Sequence, residues 1–150
     1  MKVYLASDHA GFLLKEKILS FLMENNYEVE DVGSKELDPQ DDYPQFAHRA
    51  AIKLLGSDDA DAKAIIVCGS GQGMAIAANR HKGVRASVVW SVETAEETRE
   101  DNDSNVLCLA SRFIDAEESE RIVEAWLNTP FSNAPRHKRR IDEIEELSGN

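Results

Sequence analysis

Apolar positions along this chain switch repeatedly between a strand-like and a helix-like period. "KVYLAS" (2–7) is a short run rich in β-forming residues. "GFLLKEKILSFLMENN" (11–26) places Phe12, Leu13, Ile18, Leu19 and Leu22 at helical spacing. "YEVEDV" (27–32) alternates like a strand, and "GSKELDPQDD" (33–42) reads as a loop by its Gly, Pro and Asp content. "YPQFAHRAAIKLL" (43–55) predicts a helix stopped at Gly56. "AKAIIVC" (62–68) is a continuous apolar run, the pattern of a strand covered on both faces. The second half keeps the rhythm. "GMAIAANRH" (73–81) predicts a helix and "VRASVVW" (84–90) a strand. "SVETAEETRED" (91–101) is a polar helix with Ser91 as N-cap and Glu93 and Thr94 in its first turn. "NVLCLAS" (105–111) is another buried strand, and "DAEESERIVEAWLN" (115–128) a helix capped by Asp115. "TPFSNAPR" (129–136) breaks the pattern before a terminal helix, "HKRRIDEIEEL" (137–147).

Five strands alternating with helices predict an α/β fold: one parallel sheet, wound right-handed, with helices on both faces. No Pro/Gly-rich linker interrupts it, so residues 1–150 are expected to form one domain. Ligands of such sheets bind beyond the carboxyl ends of the strands. That rule selects Ser7-Asp8-His9, Cys68 to Gly73, Trp90-Ser91 and Ser111-Arg112 before any motif is considered.

Composition adds exclusions. The formal net charge of −11 argues against a broad nucleic-acid or anionic-membrane surface, though not against a small anion in a locally basic pocket. No charged segment leads into an apolar signal stretch, and no apolar run approaches ~18 residues, so a cytoplasmic protein without a membrane partner is expected. Cys68 and Cys108 lie in apolar contexts without metal-ligand spacing. Free thiols and no metal site follow as expectations.

The stretch "VCGSGQGMAIAANR" (67–80) holds the candidate chemistry. As a dinucleotide fingerprint it fails at its third glycine position, which is Met74. As a cysteine phosphatase loop it also fails at Met74, where a phosphate-clamping arginine belongs. A third reading fits better. Glycine amides at a helix start can converge on an oxyanion, and the same field favours a thiolate. A thiolate over a C–H beside a carbonyl can act as a base while the loop holds the enediolate, with Ser70 donating one more hydrogen bond. The competing reading, Cys68 as a small apolar residue ending a buried strand, is the less favoured one beside this loop, whereas Cys108 has no such loop and reads as core.

Other polar residues carry weaker signals. Asp8 or Ser7 can cap the helix after the first strand, with His9 on its first turn. Arg136 and Arg140 share one helical face suited to a phosphate, or else pair with Asp142, Glu143 and Glu145. His48 and His81 fall in helical, exposed contexts and receive no role.

Taken together, "SDHAG", "DYP" (42–44), "CGSGQGMAIAAN", "REDND" (99–103), "SR" (111–112) and "RHKRR" (136–140) resemble the ribose-5-phosphate isomerase type B family, which includes galactose-6-phosphate isomerase subunits. The likeness runs over nearly the whole chain. It implies a Rossmann-like three-layer sandwich around a five-stranded parallel sheet, no metal or organic cofactor, and homodimers or homotetramers whose active sites are shared between subunits. The implied reaction interconverts aldose and ketose phosphates through a cis-enediolate, with ribose 5-phosphate as first substrate. By the same resemblance, Cys68 is the base, and Ser70 with the amides of Gly69, Gly71 and Gly73 cradles the enediolate. Asp8, His9, Tyr43 and Asn102 contact the sugar, and Arg112, Arg136 and Arg140 clamp the phosphate. Some relatives use a glutamate at the position of Met74 instead of the cysteine; this chain fits the cysteine branch.

One position departs from the family pattern. Asp101 stands where relatives carry the histidine assigned to opening the furanose ring. A carboxyl is ordinarily a poor acid at neutral pH. Three routes are open: Asp101 opens the ring, His9 or His137 does, or the substrate needs no ring opening. The alternative functions are therefore an isomerase of a four- or six-carbon sugar phosphate, or a non-catalytic subunit of a paired isomerase.

Overall fold

A computed structural model describes residues 1–149; the expected domain differs only by residue 150, which lies outside the described residues. The strands are β1 (Lys2–Ser7), β2 (Glu28–Asp31), β3 (Lys63–Cys68), β4 (Ala86–Val88) and β5 (Val106–Ala110). The helices are α1 (Phe12–Glu24), α2 (Tyr43–Leu55), α3 (Gln72–Ala78), α4 (Val92–Asn102), α5 (Ala116–Asn128) and α6 (Pro135–Leu147). A single 3-10 turn, His9–Gly11, leads into α1. All strand pairs are parallel, and the order across the sheet is β2-β1-β3-β5-β4.

Alternate residues of the central strands feed two cores. Ala64, Ile66 and Cys68 of β3 face α2 and α3, where they meet Phe46, Ala50, Leu54 and Met74. Ile65 and Val67 face the other way, toward Ile18 and Leu22 of α1 and Ile122 and Trp126 of α5. This is why β3 and β5 read as unbroken apolar runs: every residue from Ala64 to Cys68 and from Val106 to Ala110 is buried. The Cys68 side chain thereby emerges on the face covered by α3, the helix that follows it. Cys108 lies in the same core, and both thiols are free.

Helix ends follow local chemistry. Ser91 and Thr94 form a reciprocal capping box on α4, and the Asp115 carboxylate accepts from the Glu118 N–H. Asp8, not Ser7, caps the 3-10 turn by accepting from the Gly11 N–H at 3.0 Å. Several boundaries differ from expectation, and in three elements the local cause is plain. β4 is confined to Ala86–Val88 because the Arg85 N–H is turned to the Asn105 side chain and the Trp90-Ser91 segment is drawn into the α4 cap. α3 ends at Ala78, where the Asn79 side chain bonds both the N–H and the C=O of Ala86. α6 starts earlier, at Pro135, since a proline in the first turn loses no helical hydrogen bond.

No helix among the described residues is long and apolar enough to cross a membrane.

Candidate active site

The strand order places the site. The chain winds outward in one direction from β1 to β2 and in the other from β3, so the switch point falls between β1 and β3. Their carboxyl ends carry Ser7-Asp8-His9 and Cys68. β5 is inserted beside β3, which brings Ser111 and Arg112 to the same place and leaves Trp90-Ser91, beyond the edge strand β4, farther out. The β-ladders run on past the strands: Asp8 N–H donates to Val67 C=O, Ser111 N–H to Cys68 C=O at 2.9 Å, and Arg112 N–H to Gly69 C=O at 3.0 Å. Ser111 Oγ also donates to Ala10 C=O at 2.7 Å, tying the two outer strand ends across the loop.

Inside that frame, the loop after Cys68 turns sharply. Gly71 has φ +74°, a conformation favouring glycine. Its N–H points back at the sulfur and donates to Cys68 Sγ at 3.1 Å. Ser70 Oγ accepts from the Gln72 N–H at 3.3 Å, and the Gly73 N–H in the first turn of α3 has no acceptor among the described residues. The sulfur thus meets a backbone donor directly before the start of α3.

Two side chains cover the loop, and glycine lets them. A Cβ on Gly69 would lie 2.6 Å from Arg112 Cζ, and one on Gly73 2.6 Å from Tyr43 Cζ. The Arg112 guanidinium has no ion pair among the described residues. Asp8 is buried, and its carboxylate is committed to the cap. His9 is held by a residue that the sequence pattern left in a loop, Asp41. Asp41 Oδ1 accepts from the His9 backbone N–H at 2.9 Å and lies 2.7 Å from its Nδ1. The hydrogen bond to Asp41, with smaller contributions from the charges of Asp8 and Asp41 opposed by partial burial, raises the His9 pKa above its ordinary value. Nothing in "GSKELDPQDD" pointed across 32 positions to this histidine. Asp8, His9 and Asp41 each bring one donor atom within 4.8 Å of the others, but gathering them on a cation would break the His9–Asp41 bond.

The remaining expected residues lie elsewhere in the chain. The Asn105 C=O accepts from Ala64 N–H, so the segment after α4 meets the amino end of β3. A six-residue strand spans about 20 Å, and Cys68 is at its other end. Asp101 and Asn102, at the end of α4, therefore do not reach the thiol of their own chain. They face α6 instead. His137 is buried with Nε2 3.1 Å from Asp101 Oδ1, and Ser132 Oγ donates to Glu100 C=O. Arg136 and Arg140 flank this pair in sequence, and neither guanidinium is ion-paired among the described residues. The expected alternative partner Glu145 is taken by Arg85 and the Gly83 N–H. The structure thus collects Asp8, His9, Tyr43, Cys68, Gly69, Ser70, Gly71, Gly73 and Arg112 at one edge. Asp101, Asn102, Arg136 and Arg140 form a second group.

His48 and His81, given no role from sequence, hydrogen-bond each other, Nδ1 to Nε2, at 2.8 Å. His81 lies just past α3 rather than in it.

Known proteins share this arrangement. The chain matches the family model described as Ribose/Galactose Isomerase over residues 3–144. It is 43% identical to the ribose-5-phosphate isomerase B of Mycolicibacterium paratuberculosis over 97% of this chain and 91% of that protein. The structure of Clostridium thermocellum ribose-5-phosphate isomerase B superposes with a TM-score of 0.93 at 36% identity, covering 98% of this chain and 97% of that one. The Mycoplasma genitalium ribose-5-phosphate isomerase B, solved with bound ribulose-5-phosphate, superposes with a TM-score of 0.91 at 41% identity, covering 97% and 94%. With its thiol and glycine loop at the switch point of a five-stranded parallel sheet, and with likeness running almost from end to end, the chain belongs to the ribose/galactose isomerase family.

Proposed function

We propose that this enzyme interconverts ribose 5-phosphate and ribulose 5-phosphate through a cis-enediolate, with Cys68 as the base. The observation that carries the reading is the Cys68 sulfur receiving the Gly71 N–H at the mouth of a glycine loop. A thiolate there removes the proton from C2 of the open-chain aldose, the hydroxyl proton passes from O2 to O1, and the thiol, exchanging with solvent, delivers a proton to C1. The negative charge that builds on the two oxygens meets the amides of Gly69 and Gly73 and the Ser70 hydroxyl, while the Gly71 amide stays on the sulfur. The ribulose-5-phosphate bound to the Mycoplasma genitalium relative supports the substrate class.

The phosphate grip is proposed to be assembled from two copies of the chain. Arg112 sits beside Cys68, whereas Arg136, Arg140, Asp101 and Asn102 lie near the far edge of their own sheet. A second copy supplying the latter group makes one complete site from two incomplete ones. Exposed Trp90 and Phe113, just beyond β4 and β5 at the carboxyl edge, are apolar surface that such a partner covers. A cytoplasmic homodimer or homotetramer acting on a sugar phosphate follows as part of the same proposal.

The test is an assay of the purified chain, alone, on four-, five- and six-carbon aldose and ketose phosphates, with Asp101→His in parallel. Highest kcat/KM on ribose 5-phosphate supports the reading. A peak on a four- or six-carbon sugar reassigns the substrate, and no turnover with any of them leaves the chain as a binding subunit. A gain by Asp101→His confined to ring-forming sugars identifies ring opening as the slow step of the native enzyme.

A further inference from the structure

His9 and Asp41 form a pair that the isomerase reaction does not by itself require. Asp41 comes from the loop before α2, and its side chain is 10% exposed. Oδ1 takes two bonds from His9, while Oδ2 is buried with no hydrogen-bond partner. A carboxylate whose task was only to fix the loop would be a poor choice. A neutral amide can accept the same two bonds without the cost of burying a charge with one oxygen unpaired. The charge makes sense as the counter-charge of an imidazolium. Because Nδ1 is spent on Asp41, Nε2 is the ring nitrogen left for a ligand. His9 follows β1, the strand paired with the one that ends in Cys68, so both residues stand at the same carboxyl edge.

We propose that Asp41 is a positioning residue for this site: it holds His9 by both its backbone N–H and Nδ1 and so presents Nε2–H as a charged donor to the anionic substrate. The proposal rests on the isomerase reading for the identity of the ligand, but not for the behaviour of the pair. The charged groups that bear on His9 are Asp8 on its own segment and Asp41 on the loop. Lys15 on α1 is already bound to Asp31. The two carboxylates favour the imidazolium, in line with the raised His9 pKa.

A double-mutant cycle with Asp41→Asn and His9→Gln tests this, read by KM and kcat for ribose 5-phosphate against pH and by NMR titration of the His9 ring. In the wild type the His9 midpoint lies above the ordinary value near ~6.5. In Asp41→Asn it falls toward the ordinary value, and KM at pH 7.5 rises about tenfold with kcat changed by less than about threefold. In the His9→Gln background, adding Asp41→Asn changes KM by less than about twofold. An unmoved His9 midpoint in Asp41→Asn, or an equal KM rise in both backgrounds, overturns the proposal. Should Asp41→Asn not fold, a wild-type His9 midpoint at or below the ordinary value overturns it. A wild-type chain that binds ribose 5-phosphate with a high His9 midpoint but never isomerises it contradicts the isomerase reading and leaves the Asp41 role standing.

Discussion

Two cysteines one strand apart show how position decides chemistry. Cys108 is fully buried, and that burial, with the neighbouring Cys68 adding to it, pushes its thiol well above the ordinary range. It has no backbone donor and serves as packing. Cys68 has a glycine N–H on its sulfur. Cys108→Ala is accordingly expected to keep turnover within about twofold while lowering stability by about 1 kcal/mol, seen as a drop in Tm. In the proposed reading, Arg136→Ala and Arg140→Ala remove parts of a phosphate clamp that holds ground and transition states alike. Each is expected to raise KM about tenfold with a smaller change in kcat. Unchanged KM in both would return α6 to a solvated basic face. The His9–Asp41 pair also predicts a pH dependence of stability. Since the folded His9 pKa lies above its unfolded value, the pair's contribution is fully present below the ordinary value and is lost as pH rises through the raised one. The Tm difference between wild type and Asp41→Asn, followed from acid to alkaline pH, should shrink accordingly.

Between elements, close approach is what the glycines secure. A Cβ on Gly11 would sit 2.4 Å from the Val67 carbonyl oxygen, an atom of β3 that cannot swing aside. Gly11→Ala is expected to cost about 1–3 kcal/mol of stability, measured by denaturant unfolding. Gly69→Ala meets the end of a flexible arginine instead, and should leave Tm nearly unchanged while displacing Arg112 and raising KM. The elements themselves were legible. β5 reads as an unbroken apolar run because helices cover both its faces, and Ser91 and Asp115 announce their helices as caps. Strand order was not legible as a sequence of elements, yet its cause is visible in retrospect. β4 contains only three residues and every one is partly exposed, so it takes the edge, and the fully buried β5 moves in beside β3. That exchange is what puts Arg112 over Gly69. The role of Asp41 was hidden for a different reason: its partner is fixed by tertiary packing, with no local period or spacing to reveal it.

In the whole molecule, the expected site residues divide into two groups about a strand length apart. One chain holds the Cys68 thiol and its glycine loop at one edge, and in the other group two arginines without an ion pair among the described residues, beside an Asp101–His137 pair. Mixing two impaired variants tests whether these halves meet across a dimer. Cys68→Ala and Arg136→Ala chains, mixed in equal amounts and allowed to exchange, should regain about a quarter of native activity at low substrate, because half the dimers carry one intact site of two. No recovery, with exchange verified by mass, would contradict shared sites.

The central claim is that the Cys68 thiol moves the proton. It is tested most directly by following ribose 5-phosphate in D2O by NMR with wild type and Cys68→Ala, each shown to be folded and to bind the sugar phosphate. Wild type should form ribulose 5-phosphate carrying deuterium at C1, while Cys68→Ala should bind with similar affinity and slow both conversion and deuterium incorporation by at least about a hundredfold. A folded Cys68→Ala enzyme that isomerises and exchanges at the wild-type rate would contradict the account.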